Sequence, residues 1–208
     1  ANTITLSGGG TLSNTNAIVL NNATSKLLLN SITVDKVSTS LANSGLDVDA
    51  NSTVTSLTVG HTTPVSIASD KTLSGAITVT GGSIKLDETG TLGSTVSMNE
   101  GTLDVDESLT LSGALTQSGD ITIDVADGKT LTYTGTALSL GANTLTMSGE
   151  GAFSNSNALV LNNASSKLLL SNSITVGSVS TSLASLGLDV DADSTVSSLT
   201  VGHTTPVS

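Results

Sequence analysis

The string Leu188-Asp189-Val190-Asp191-Ala192-Asp193 places three carboxylates at alternate positions, and it has two relatives. LDVDAN begins at Leu46 and carries Asp47 and Asp49; LDVDES begins at Leu103 and carries Asp104 and Asp106. Alternating oxygen ligands open a calcium loop of the form D-x-[DN]-x-[DN], where they wrap one ion. The glycine that such a loop needs next is Ser52 or Ser194, and the closing glutamate is replaced by Thr58 or Thr200. In an extended strand, alternate carboxylates stand about 6.6 Å apart along one face, too far to converge on a single ion. These acids therefore read as a solvated strand face, with Leu188, Val190 and Ala192 directed inward, and no metal ligand is expected. The β-roll signature G-G-x-G-x-D is also missing, because GGSIKLD at Gly81 has Ile84 in place of the next glycine.

Paired carboxylates also suit glycosidic chemistry, but such sites use a cation to stabilise developing charge and aromatic platforms to hold sugar rings. The chain has no Arg, six Lys, and only Tyr133 and Phe153 as aromatics. No catalytic residue or cofactor site is expected, and the chain does not read as an enzyme. Both histidines and both prolines fall in GHTTPV, as His61 with Pro64 and His203 with Pro206. No second metal-binding type lies nearby in sequence, so the expectation is a bend, with the prolines outside any ladder and Thr62 and Thr63 solvated. Asn22-Ala23-Thr24, Asn51-Ser52-Thr53 and Asn163-Ala164-Ser165 match the glycosylation triplet, which this composition also produces by chance.

A formal net charge of −11 and a pI near 4.1 argue against nucleic acid, which needs basic clusters and stacking aromatics. The same charge argues against an anionic membrane surface. No apolar run approaches the roughly 20 residues of a spanning helix, and no charged-then-apolar leader opens the sequence. Any targeting signal is expected to lie outside it. The absence of Cys fits either an exported or a cytoplasmic protein.

The elements that position these residues follow from a long internal repeat. ANTITLSGGGTLSNTNAIVLNNATSKLLL at Ala1 returns as ANTLTMSGEGAFSNSNALVLNNASSKLLL at Ala142, an offset of 141. After one inserted residue near Ser171, LTVGHTTPVS at Leu57 returns at Leu199, an offset of 142. The units are thus 1–141 and the start of a second, 142–208, which together read as one continuous domain within a longer array. Ile4 to Leu145, Leu6 to Met147, Leu12 to Phe153 and Ile18 to Leu159 keep apolar character while changing shape, as core positions do. Asp35 and Lys36 become Gly177 and Ser178 together, as in an exposed turn. Nothing in the sequence explains the change of Ser44 to Leu186.

Within each unit, alternation over four or five residues recurs in TITL, SITV, SLTV, AITV, SIKL, TVSM, TLDV and DITI, separated by Gly, Asn, Ser and Asp. That is the pattern of short strands, and abundant Thr and Val disfavour helix. Val96, Ile121 and Leu145 recur at intervals of about 25 residues, as do Ile32, Leu57, Ile84 and Leu109. The spacing predicts an all-β parallel solenoid with coils of about 25 residues, six to the long unit. Stacked at about 4.8 Å per coil, eight coils make a rod of about 40 Å. Asn21 and Asn22 are placed at a corner where stacked amides form a ladder. Outward Thr in TIT, LTV and ITV resembles the flat T-x-T faces of ice-binding solenoids, but Lys85, Asp104 and Asp124 interrupt the outward positions. A string of immunoglobulin-like sandwiches is the rival fold, and the lack of core aromatics counts against it.

Segments such as GDITIDVADGKTLTYTGTALSLGANTLTMSGEG, rich in Gly, Ser, Thr and Asn and nearly free of aromatics, resemble the β-helical stalks of large repetitive bacterial or archaeal surface proteins. Autotransporter passengers and filamentous adhesins are of this kind. The resemblance implies a secreted right-handed parallel β-helix at the cell surface, serving adhesion or surface architecture. The function expected is a structural stalk, fibre or sheath segment whose partners are further copies of itself end to end. A glycan or protein receptor bound along the flank is the alternative, and ice binding or polysaccharide chemistry stand further off.

Overall fold

The computed structural model describes residues 2–184, 187–191, 193–203 and 206–207. Leu186 and Ala192, both singled out from the sequence, lie outside the described residues. Alternating apolar and polar residues do what their period requires: one set enters the core and the other faces outward. In Ile121–Val125 every odd member is buried and every even one half-exposed. Every strand pairing among the described residues is parallel, and no helix occurs among them.

The strands stack into two long sheets. The first is a column of ten strands, running from Thr3–Ser7 through Lys26–Asn30, Gly45–Val48, Thr63–Ile67 and Ser83–Leu86 to Gly187–Val190. The second bends at a corner into two limbs. Some strands, such as Thr33–Thr39 and Ser52–Val59, run through the corner; elsewhere it divides a pair such as Thr91–Leu92 and Thr95–Met98. The chain is therefore a β-solenoid of about ten coils, close to 48 Å long at the usual strand spacing.

The coils are shorter than the spacing of apolar residues in the sequence implies. Lys26 pairs with Gly45, among the shortest steps from coil to coil in the first sheet, and Ile121 pairs with Leu145, the longest. First-sheet strands starting at Thr3, Lys26, Gly45, Thr63, Ser83, Gly101 and Ile121 precede Thr144, the second copy of Thr3. One 141-residue unit is thus seven coils of about 20 residues, not six longer ones. The longer spacing arose because it joined different faces. Val96 lies on the second limb of the second sheet, whereas Ile121 and Leu145 lie in the first sheet.

One aliphatic core runs the length of the rod, with Leu27, Leu46, Leu103, Ile123, Leu145 and Leu168 fully buried. Its two aromatics meet on adjacent coils: the rings of Tyr133 and Phe153 stack with centroids 5.8 Å apart. Burying a phenol requires a partner for its hydroxyl. Tyr133 Oη donates to Thr136 O at 2.6 Å and accepts from Leu115 N at 3.0 Å.

Two local expectations are corrected. Pro64 does not bend the chain away from the sheet: Thr63–Ile67 is an interior strand, with Pro64 in register with Lys85. Thr63 is fully buried, its hydroxyl 2.8 Å from that of Thr39. The ring is accommodated because Gly45 faces it, where an added Cβ would stand 2.8 Å from Pro64 O and 3.3 Å from Pro64 Cβ. Gly187 and Pro206 repeat this juxtaposition. Second, Asp35 and Lys36 lie within the strand Thr33–Thr39, at the corner of the second sheet, and not in a turn.

Candidate functional site

Stacking decides what surrounds the acids. Lys26 and Asp47 occupy adjacent coils of the first sheet, and Lys26 Nζ is 2.9 Å from Asp47 Oδ2. Their copies repeat the pair, with Lys167 Nζ 3.0 Å from Asp189 Oδ2. Lys85 reaches Asp106 and stands 3.7 Å from Asp104 on the next coil. Lys129 pairs with Glu107 at 2.7 Å. The acidic strings are thus bridged by lysine ammonium groups from the coil before, or after for Glu107. Asp49 is exposed. Among the described residues, no three His, Asp or Glu side chains come together as a metal group.

Electrostatics follow the same geometry. The Asp106 carboxylate bonded to Lys85 holds its pKa above the ordinary lysine range, and Asp47 does the same for Lys26; burial opposes both. Asp104 is raised above the usual carboxylate range, first by desolvation and then by the charges of Asp106 and Asp124, with Lys85 opposing. Asp124 sits in register with Asp104 and accepts from the Ser148 hydroxyl on the following coil. This is a tightly spaced acidic row held together by lysine and hydroxyl donors.

Asparagines clamp coils at a different place from the one expected. Asn14 Nδ2 donates to Asn16 O and Lys36 O, both at 2.8 Å, while its Oδ1 accepts from Lys36 N. Asn155, the second-copy residue, repeats all three bonds with Asn157 and Ser178. Asn22 instead folds onto its own turn, accepting from Thr24 N and Oγ1. Asn162, the counterpart of Asn21, does reach the preceding coil and accepts from Gly141 N. Of the glycosylation triplets, Asn22 is exposed, Asn51 accepts from Thr72 N, and Asn163 accepts from Ser165 N.

His61 is exposed and its carbonyl accepts from the Thr63 hydroxyl at 2.9 Å; His203 is exposed too. A groove of about 490 Å³ lies along the sheet corner, lined by Asn14, Thr15, Asp35, Lys36, Thr55 and Ser56. Sequence reasoning missed it, because it is formed by three coils whose register the spacing did not show. Lys36 Nζ there donates to Thr15 O at 3.1 Å.

The residues that seemed to interrupt a hydroxyl face lie elsewhere. Lys85, Asp104 and Asp124 all belong to the first sheet. The second limb of the second sheet carries the column Ser38, Thr58, Thr78, Ser97 and Thr116, each in register with the next. Thr116 Oγ1 donates to Ser97 Oγ at 3.1 Å. No family model, no curated protein and no solved structure matches the chain.

Proposed function

We propose that the chain is a structural rod at the cell surface or outside the cell, a stalk, fibre or sheath segment lengthened by repetition. What supports it most is the interchangeability of coils. Ile4 is 48 % exposed on the first coil, but its copy Leu145, inside the rod, is fully buried. At the other end Val201 is 54 % exposed, and its copy Val59 is fully buried. The same residues thus serve as core once another coil stacks on them, so coils of this kind can be added repeatedly, and further repeats or another copy end to end are the partners that such stacking fits.

Immunogold electron microscopy on source cells, with an antibody raised against the 208-residue chain, tests this reading. Labelled surface projections are expected; labelling confined to the cytoplasm contradicts it. The second reading, a receptor-binding flank, is favoured by the corner groove, whose hydroxyl, amide, Lys36 and Asp35 groups suit a glycan. A glycan-array signal lost in Lys36→Ala supports that reading.

A further inference from the structure

The second limb of the second sheet is laddered from coil to coil except at one step. Leu115–Gln117 in the sixth coil pairs with Thr95–Met98 in the coil before, and Leu138–Ser139 in the seventh pairs with Leu159–Leu161 in the coil after. Among the described residues, no backbone ladder joins Leu115–Gln117 to Leu138–Ser139. The other two faces are unbroken at this height. Gly101–Val105 pairs with Ile121–Val125 in the first sheet, and Leu109–Leu111 pairs with Thr130–Tyr133 on the first limb.

The corner differs at this step. Ser112, Gly113 and Ala114 turn it in the sixth coil, whereas the seventh uses Thr134, Gly135, Thr136 and Ala137. The Tyr133 ring lies under that longer corner, where a Cβ added at Gly135 would stand 2.6 Å from Tyr133 Cε2. Side chains take the place of the missing ladder. Leu115 N donates to Tyr133 Oη at 3.0 Å, the phenol donates to Thr136 O at 2.6 Å, and Gln117 Nε2 donates to Leu140 O at 3.0 Å.

Gln117 supplies an independent sign. It is in register with Met98, which is 1 % exposed, and its amide reaches Leu140, which is fully buried. Its Oε1 is buried and has no hydrogen-bond partner, alone in this among the side-chain oxygens and nitrogens of the described residues. A buried carbonyl without a donor has given up its bonds to water and gained none in exchange. The closed joint therefore carries a cost that opening relieves. Thr116, Thr136, Ala137 and Ser139 around it are already exposed.

We propose that the rod opens here: the sixth and seventh coils part locally along the second limb and water reaches Gln117 Oε1, while the first sheet and the first limb stay closed. Backbone ladders resist parting at every other step of this limb, whereas two side-chain bonds bridge this one. Opening on one face bends the rod away from that face. A further copy of the 141-residue unit carries the next such joint seven coils on, about 34 Å along the rod. Yielding at fixed intervals goes beyond the structural reading and does not depend on where the rod is displayed.

Hydrogen exchange followed by mass spectrometry on the 208-residue chain tests it. After correction for intrinsic rates, segments 113–118 and 135–141 are expected to exchange at least fivefold faster than 94–99 and 158–162, which lie on the same face in the coils on either side. Segments 101–105 and 121–125 of the first sheet are expected to stay slow. A smaller difference along the second limb overturns the proposal, as does equally fast exchange in the first sheet. Tyr133→Phe keeps the ring that stacks on Phe153 and removes the hydroxyl bridge. Exchange at the two joint segments is expected to rise at least threefold further, with the first-sheet segments unchanged. A variant that speeds every segment alike, or leaves the joint at the parental rate, also overturns it; the parental comparison stands whether or not the variant folds.

Discussion

Lys26 of one coil and Asp47 of the next stand 2.9 Å apart, and the pair recurs at Lys167 and Asp189. Such bridges tie neighbouring rungs on the acidic side of the rod. They lie at the surface, where an ion pair contributes little because solvent screens it. Lys26→Met should therefore cost no more than about 1 kcal/mol in guanidinium unfolding. A loss of several kcal/mol in that measurement contradicts the account of these bridges as surface ties.

The core carries the stability. Leu103 is fully buried, and Leu103→Ala should lose about 2–5 kcal/mol by the transfer and cavity terms together. Ile4, nearly half exposed on the first coil, should lose far less on truncation to Ala. Equal losses at the two positions in chemical denaturation contradict a core that is open only at its ends.

Gly75 has φ +120°, and an added Cβ would stand 1.8 Å from Val54 O on the coil before. The register of the second sheet shifts beside it, between Val54 and Leu57. Gly75→Ala must displace backbone and adopt a conformation that L residues avoid, so a loss above about 1 kcal/mol is expected. A gain in melting temperature contradicts that close approach.

The pH dependence follows from the raised groups. Asp104 binds its proton more tightly when folded, so its contribution is fully present below the ordinary carboxylate pKa of about 3.9 and lost as pH rises through its raised value. Asp104→Asn should therefore melt higher than the parent at pH 7, and this advantage should shrink toward pH 3. Lys26 and Lys85 contribute below about pH 10.4 and lose that contribution as pH climbs through their raised values. Melting temperatures from pH 3 to 12 check both signs; a destabilised Asp104→Asn at pH 7 contradicts the first.

The strand-forming segments and their parallel stacking were legible because alternation is a local signal, and Ile121–Val125 displays it without interruption. Coil length was not, since Val96 and Ile121 look equivalent in sequence while occupying different sheets. Pro64 was misplaced for a related reason. Whether a proline fits a sheet depends on the residue across from it, here Gly45, which lies a full coil away in sequence. The separation of Asp104 from the hydroxyl column was hidden in the same way: Asp104 and Thr78 both alternate outward, and only register shows that they face different directions.

The stacking register itself is the central claim, and the absence of Cys allows a direct test. Thr102 and Thr122 are in register on adjacent coils, both partly exposed and about 4.8 Å apart at the usual strand spacing. That is within the Cα separation of a disulfide. Under dilute oxidising conditions, Thr102→Cys/Thr122→Cys should close an intramolecular disulfide, detected by mass spectrometry. Thr102→Cys/Asp127→Cys, whose spacing matches the longer interval between apolar residues, should not close. Closure of the second pair and not the first contradicts coils of about 20 residues.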